Sequence, residues 1–346
     1  IVDGEEHHVK TVVQDETIVV YVDGALVDLV KDDTFSRGRV GFCQHKEHWA
    51  LVNRVRVRSN NDRPLLSDDF DEDLSRWEFV RGTPFVADGA QRDRLPWLGD
   101  LHWAGENAYY TFAHHPYMKG AIEIFARHQT PEGYIWATAY PESFSSPETG
   151  DYGPWPSDEF SAWFVPVVAD YLLFTGDRRT VSAVYDAVKR NLEYVWDYVD
   201  RDHLFIQRPE TSRGQGSDWD PDGGHIERVT YTNLLMCDAH RKGAFIADEL
   251  GYSRDAATFR KRAQMMAHAI NARLWNGRTE DFVDKAGSTQ FSFQANALAL
   301  AMGVPERRYV RRIITHLQRG RASGKFRSLM ARGQFVYGDD EGALAT

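Results

Sequence analysis

The spacing of apolar residues changes character once along this chain, and that change limits the folds open to it. Before residue 60, apolar and β-branched residues alternate in short runs at 9–13, 17–22, 25–30, 39–43 and 50–57. Asp23-Gly24, Arg37-Gly38 and Asn53 punctuate them. Asp-Gly tolerates the positive φ of a tight turn, so residues 21–27 predict a hairpin. From about residue 104 the period becomes helical. Helices are predicted over 158–175, 179–200, 231–250, 254–274, 290–302 and 306–319, separated by turn residues at 175–179, 250–254 and 302–306. Short links between helices imply antiparallel neighbours, hence a string of α-hairpins. Such a string reads as an α/α toroid with its site on the loops at one end.

The reading is therefore mainly α, with an antiparallel β-sandwich segment over 1–59. A linker is expected over 60–87, although Leu65–Phe70, Trp77 and Asp88-Gly89 could open a further β segment. The helical domain is expected over 88–346. Both ends look internal to a domain, Ile1 leading into strand-like sequence and Thr346 closing a helical stretch with no stop signal. A fragment of a longer protein is the expectation.

Composition narrows the partners. The 346 residues carry 41 Lys+Arg against 51 Asp+Glu, a net charge of −10, which is the wrong sign for a broad nucleic-acid surface. Apolar runs such as 164–169 fall far short of the roughly 20 residues of a membrane span. With only Cys43 and Cys237, neither a disulfide framework nor a Cys-rich metal site is available. No nucleic acid, membrane, metal or cofactor is expected.

The chemistry concentrates in residues 88–100, Asp88-Gly-Ala-Gln-Arg-Asp-Arg-Leu-Pro-Trp-Leu-Gly-Asp100. Three carboxylates (Asp88, Asp93, Asp100), two guanidiniums (Arg92, Arg94) and the Trp97 indole share this stretch, and Pro96 and Gly99 are expected to keep it from forming a regular helix. Neighbouring carboxylates disfavour each other's ionisation, which makes one a proton donor near neutral pH, while an adjacent Arg keeps its partner ionised. Sugar hydroxyls need acceptors and a pyranose face needs an aromatic platform. A loop held by Asp–Arg pairs, with Trp97 as a core plug, explains the spacing equally well.

This stretch resembles the signature of the bacterial and fungal α-L-rhamnosidases, six-hairpin glycosidases with an (α/α)6 barrel. Ser157-Asp-Glu-Phe-Ser-Ala-Trp163 resembles an acid-plus-Trp element entering a barrel helix, Gly216-Ser-Asp-Trp219 a Gly-Asp-Trp loop, and Thr289-Gln290 a helix start. The strands before residue 60 resemble closing strands of a concanavalin/laminin-G-like jelly roll. The resemblance implies a carbohydrate partner, a rhamnose-containing glycoside or polysaccharide. It places Asp93 at the general acid, and Asp88, Arg92, Trp97 and Asp100 around the terminal sugar. Asp158, Trp163, Asp218 and Trp219 follow as substrate-binding positions. It implies inverting, exo-acting hydrolysis.

Two departures stand out. Asp93 replaces the usual Glu, which withdraws the carboxyl by about 1.5 Å, one C–C bond. The general base, an acid beside a Trp late in the barrel, has no equivalent after Thr289-Gln290, and the visible helices should leave the barrel unclosed, so the base is expected beyond residue 346. The rival reading is a non-catalytic sugar-binding relative, favoured by the short acid. A hydrolase for another terminal sugar, such as an unsaturated uronate met by Arg92 or Arg213, is a third.

Other motifs carry less. An acid at 158 or 159 would suit a helix N-terminus, as a cap or as site lining. The acidic, Gly-rich loop around 214–224 suggests Ca²⁺ but lacks the bidentate Glu. The His pairs 7–8 and 114–115 lack metal-ligand spacing, and the arginines at 307, 308, 311 and 312 read as a solvated helix face.

Overall fold

The computed structural model describes residues 5–31, 41–42, 51–71, 77, 83–88, 95–113, 115–139, 156–211, 226–320 and 324–346. The chain forms two compact units, Ile1–Val80 and Arg81–Thr346.

In the first unit, β1 (Val9–Gln14), β2 (Thr17–Val22) and β3 (Ala25–Lys31) make an antiparallel sheet in that order. The β2–β3 turn is Asp23-Gly24 with φ of 51° and 81°, the geometry read from the dipeptide. A second small sheet pairs β4 (Val55–Arg58) with β5 (Pro64–Asp68), so a strand occupies part of the interval read as a linker. Trp77 secures its end, donating from Nε1 to Asp68 Oδ2 (2.8 Å) and packing against Phe70 and Phe42. Of the expected run 39–43 only 41–42 are described, and these are unpaired.

The second unit is helical: α1 (Leu98–Asn107, continuing as a π-turn over 108–112), α2 (His115–Arg127), α3 (Asp158–Thr175), α4 (Arg178–Ala183), α5 (Tyr185–Asp197), α6 (Thr230–Leu250) and α7 (Ser253–Arg273). A short β6 (Trp275–Asn276) and β7 (Asp281–Phe282) hairpin precedes α8 (Phe293–Ala301), α9 (Arg307–Arg319), α10 (Gly324–Tyr337) and α11 (Asp340–Ala345). The expected helix over 179–200 breaks at Val184, where α4 ends and α5 begins. Apolar spacing continues across the break because Val181, Val184, Tyr185 and Val188 are all buried, so periodicity cannot reveal it. The helix expected from residue 290 starts at Phe293, where the Ser292 side chain supplies the cap.

Two layers result. Helices α1, α3, α6, α8 and α10 pack side by side in that order, while α2, α5, α7 and α9 lie against them. Burial explains the division. Between Asp158 and Leu172, α3 leaves only Phe160 partly exposed, whereas α9 buries one stripe (Val310, Ile313, Ile314, Leu317) and turns its arginines outward. The inner helices run parallel. Going down α1 and α3, Gly99 meets Phe160, His102 stacks on Trp163, and Tyr109 stacks on Phe174. Down α3 and α6, Glu159 meets Thr232 and Asp170 meets Lys242. Down α8 and α10, Phe293 meets Phe326 and Leu300 meets Gly333. An ion pair between Glu106 of α1 and Arg332 of α10 (3.2 Å) joins the first inner helix to the last. All five N-termini therefore open at one end of the ring.

Glycine permits the closest approaches. A Cβ on Gly120 of α2 would lie 1.8 Å from the Pro84 carbonyl oxygen, whereas one on Gly105 of α1 would meet the flexible Met118 Cε at 3.3 Å and Tyr109 Cε2 at an ordinary contact distance of 3.8 Å. Gly120→Ala is expected to cost about 1–3 kcal/mol through overpacking. Gly105→Ala should leave stability unchanged or raise it by about 0.5–1 kcal/mol. Denaturant titration of the two variants checks the contrast.

Candidate active site at the mouth of the helical ring

The chain reaches the mouth through 83–88 and 95–97. Asp88 N donates to Leu95 O (3.0 Å), so the interval between them leaves and returns at one point. Arg92 and Asp93 fall in that interval, outside the described residues. Asp88 is half-buried, with both carboxylate oxygens shielded from solvent.

Trp97 is held on both sides. It pairs with Thr138 as an antiparallel bridge, Leu98 N donates to Ala137 O (3.0 Å), and Thr138 Oγ1 donates to Pro96 O (2.8 Å). Its half-buried indole stands edge-on to Phe160. The irregular backbone ends here. Gly99 and Asp100, expected in the irregular stretch, belong to the first turn of α1. Gly99 serves packing, because a Cβ would lie 2.8 Å from Phe160 Cε1. Asp100 is thus presented, exposed, by a helix start whose free N–H groups favour an anion.

At the start of α3 the cap is Ser157, whose hydroxyl accepts from Phe160 N. Asp158 is fully buried and turned towards the outer layer. Thr211 Oγ1 donates to its Oδ2, Tyr194 Oη to its Oδ1 (3.1 Å), and Arg208 Nη2 lies 3.5 Å from Oδ1. The Arg208 guanidinium lies 4.0 Å from the Tyr198 ring centroid. Burial pushes the Asp158 carboxyl up, opposed by Thr211, Arg208 and Tyr194.

Glu159 points the other way, accepting from Thr232 Oγ1 of α6 at 2.9 Å. Glu159, Trp163, Pro166 and Asp170 recur at i, i+4, i+7 and i+11, on one face of α3. That face looks into the ring, since its members meet α6 at both ends and α1 through His102. Trp163, 3% exposed, stacks on His102 (4.1 Å between centroids) with Trp103 edge-on at 5.3 Å.

The deeper end is charged. Lys242 Nζ donates to Asp170 Oδ1 (2.7 Å), and His102 Nδ1 is 3.5 Å from Oδ2. Burial works against the Lys242 ammonium, but Asp170 and Asp238 outweigh it and raise its pKa. Burial likewise pushes the Asp238 carboxyl up against the pull of Lys242, Arg241 and Arg332.

Asp218 and Trp219 lie outside the described residues. The ends of their interval are close, because Gln207 and Glu227 exchange backbone hydrogen bonds of 2.8 Å. Among the described residues no group of three or more His, Cys, Asp or Glu could hold a metal ion, and no helix is long and apolar enough to cross a membrane. The pairs Asp158–Arg208 and Glu159–Thr232 carry no sequence signal of partnership, being 50 and 73 residues apart. The recurrence of Glu159, Trp163, Pro166 and Asp170 at i, i+4, i+7 and i+11 is the signal in the sequence that could have separated Glu159 from Asp158.

A family model described as the bacterial alpha-L-rhamnosidase 6 hairpin glycosidase domain matches residues 83–327. The chain belongs to this six-hairpin glycosidase family. Among solved structures it is similar to a rhamnosidase from Klebsiella oxytoca with rhamnose bound (TM-score 0.63, 19% identity, covering 75% of this chain and 50% of that one). It is also similar to the GH78 family rhamnosidase of Bacillus sp. GL1 (0.62, 17%, 75% and 27%). A third is the Streptomyces avermitilis α-L-rhamnosidase complexed with L-rhamnose (0.55, 17%, 75% and 24%). At these identities the likeness is one of fold, and the chain spans half or less of each. No curated protein matches.

Arg208→Met is expected to destabilise the protein by about 2–4 kcal/mol, towards the lower range for a broken buried pair because Arg208 keeps some solvent contact. Loss of the cation raises the folded-state pKa of Asp158 further above its unfolded value. The deficit should therefore be largest at neutral pH and shrink as the pH falls through that pKa and the carboxyl takes up a proton. Urea titrations between pH 4 and pH 8 would show this slope, and a pH-independent deficit would contradict it.

Proposed function

We propose that this chain forms the ring of an exo-acting glycoside hydrolase, an α-L-rhamnosidase that releases terminal L-rhamnose with inversion. The observation that carries the reading is the mouth itself. The interval holding Asp93 is pinned by Asp88 and Leu95 beside Trp97 and Asp100, where the parallel inner helices of a six-hairpin family member begin. Two of the structures of similar fold are described as holding rhamnose, which supports that sugar.

In this reading Asp93 protonates the glycosidic oxygen as the C–O bond to the leaving group breaks. A second carboxylate takes a proton from a water attacking C1 from the opposite face. No covalent intermediate forms, and the two carboxyls stand roughly 6.5–9.5 Å apart. Asp88, Arg92 and Asp100 hold ring hydroxyls and Trp97 walls the ring. Asp218 and Trp219 extend the contacts from the interval closed by Gln207 and Glu227. Trp163 lines the ring behind the mouth, whereas Asp158, fully buried and turned to Arg208, Tyr194 and Thr211, is placed to hold the start of α3 and not to touch the sugar. The strands of residues 1–59 are read as part of a β-sandwich preceding the ring.

Asp93→Asn should lower hydrolysis of an aryl α-L-rhamnoside by about a hundredfold or more, the usual worth of a general acid, while L-rhamnose binding is retained. Unchanged turnover would remove Asp93 from the role. Saturable rhamnose binding with no turnover by the full-length protein, including the residues beyond 346 where the base is expected, would favour a non-catalytic sugar-binding relative, in keeping with the short Asp93 side chain.

A further inference from the structure

We infer that Glu159, set by Thr232 and Gln207 at the seam between α3 and α6, is a specificity-determining residue that accepts hydrogen bonds from ring hydroxyls of the terminal sugar. The inference rests on the reading of the mouth as a sugar site and adds a residue to it.

Four observations lead there. Glu159 is 7% exposed and is the carboxylate at the mouth end of the stripe that runs down the ring interior, directly above Trp163. Its neighbour Phe160 is the ring on which Trp97 packs, so Glu159 and the aromatic wall share one level of α3. Asp158 has the opposite orientation, towards Arg208 in the outer layer. Of two consecutive acids, helical geometry aims only Glu159 at the lumen.

The fourth observation is a proton count. Thr232 Oγ1 lies 2.9 Å from Glu159 Oε1 and 2.8 Å from Gln207 Oε1. A hydroxyl has one proton to give, so both contacts cannot be donations from Thr232. With the Gln207 amide turned end for end, its NH₂ donates to Thr232, which donates to Glu159. The relay thus orients the Glu159 carboxylate from α6. Gln207 is fixed in turn by its backbone pairing with Glu227, and it is 3% exposed. Such an oriented, shielded acceptor suits adjacent hydroxyls of a neutral sugar, whose O–H groups exchange water for a charge-assisted bond.

The test compares binding of L-rhamnose and of its 2-deoxy and 3-deoxy analogues to the unaltered protein, to Glu159→Gln and to Thr232→Val, by titration calorimetry, with Tm as a separate readout. The unaltered protein should prefer L-rhamnose to at least one deoxy analogue by about tenfold or more, the worth of a hydrogen bond to a charged group. Glu159→Gln should abolish that preference. A purely structural Glu159 would lower Tm, weaken all three sugars alike and leave the preference intact, which would overturn the inference while the proposed function stands. Should Glu159→Gln not fold, Thr232→Val keeps the charge but loses the relay. A reduced preference in that variant supports the inference, and an unchanged one overturns it. An unaltered protein that binds none of the three sugars would overturn the proposed function and this inference together.

Discussion

Parallel packing of α1, α3, α6, α8 and α10 places their N-termini at one end, and the site described above depends on that arrangement. Each helix start leaves backbone N–H groups without intrahelical acceptors and carries partial positive charge. Several such starts together make a place where carboxylates are tolerated, and Asp100, Asp158 and Glu159 all occupy first turns there. The approach of α1 to α3 depends on Gly99, whose missing side chain lets Phe160 and Trp97 come together.

Charge inside the ring is handled differently at its two ends. At depth, Asp170 and Asp238 face Lys242, so cation and anions compensate one another where water is scarce. Near the mouth, Asp158 draws its compensation from the outer layer, through Arg208, Tyr194 and Thr211. Glu159 turns to the ring interior and accepts from the Thr232 hydroxyl of α6. Between the ends sit His102, Trp103 and Trp163, a stacked group that separates the two electrostatic regimes.

Much of the fold was legible because it follows from local rules. The helices at 158–175, 231–250 and 254–274 bury apolar residues at regular spacing, and the Asp23-Gly24 hairpin follows from one dipeptide. Helices α1 and α2 were harder to read, since Pro96, Gly99, Gly105 and Gly120 look like breakers. Pro116, just inside the start of α2, was the available cue. The glycines were selected by close packing with Phe160, Met118 and Pro84, partners that periodicity does not register. At the site, the 88–100 motif stood out by composition, yet the side towards which Asp158 and Glu159 turn did not.

Sequence alone determined the kind of protein: a β-rich start, a succession of α-hairpins, and one acidic, Trp-bearing motif that fits the six-hairpin glycosidases. These properties are carried by neighbours in the chain, where spacing and residue type suffice. Tertiary structure decided which acids meet which partners. Thr232 comes from a helix 73 residues after Glu159, and Arg208 from a turn 50 residues after Asp158. Such pairings are set by which helices lie side by side, and the stretch of chain between the partners does not encode them.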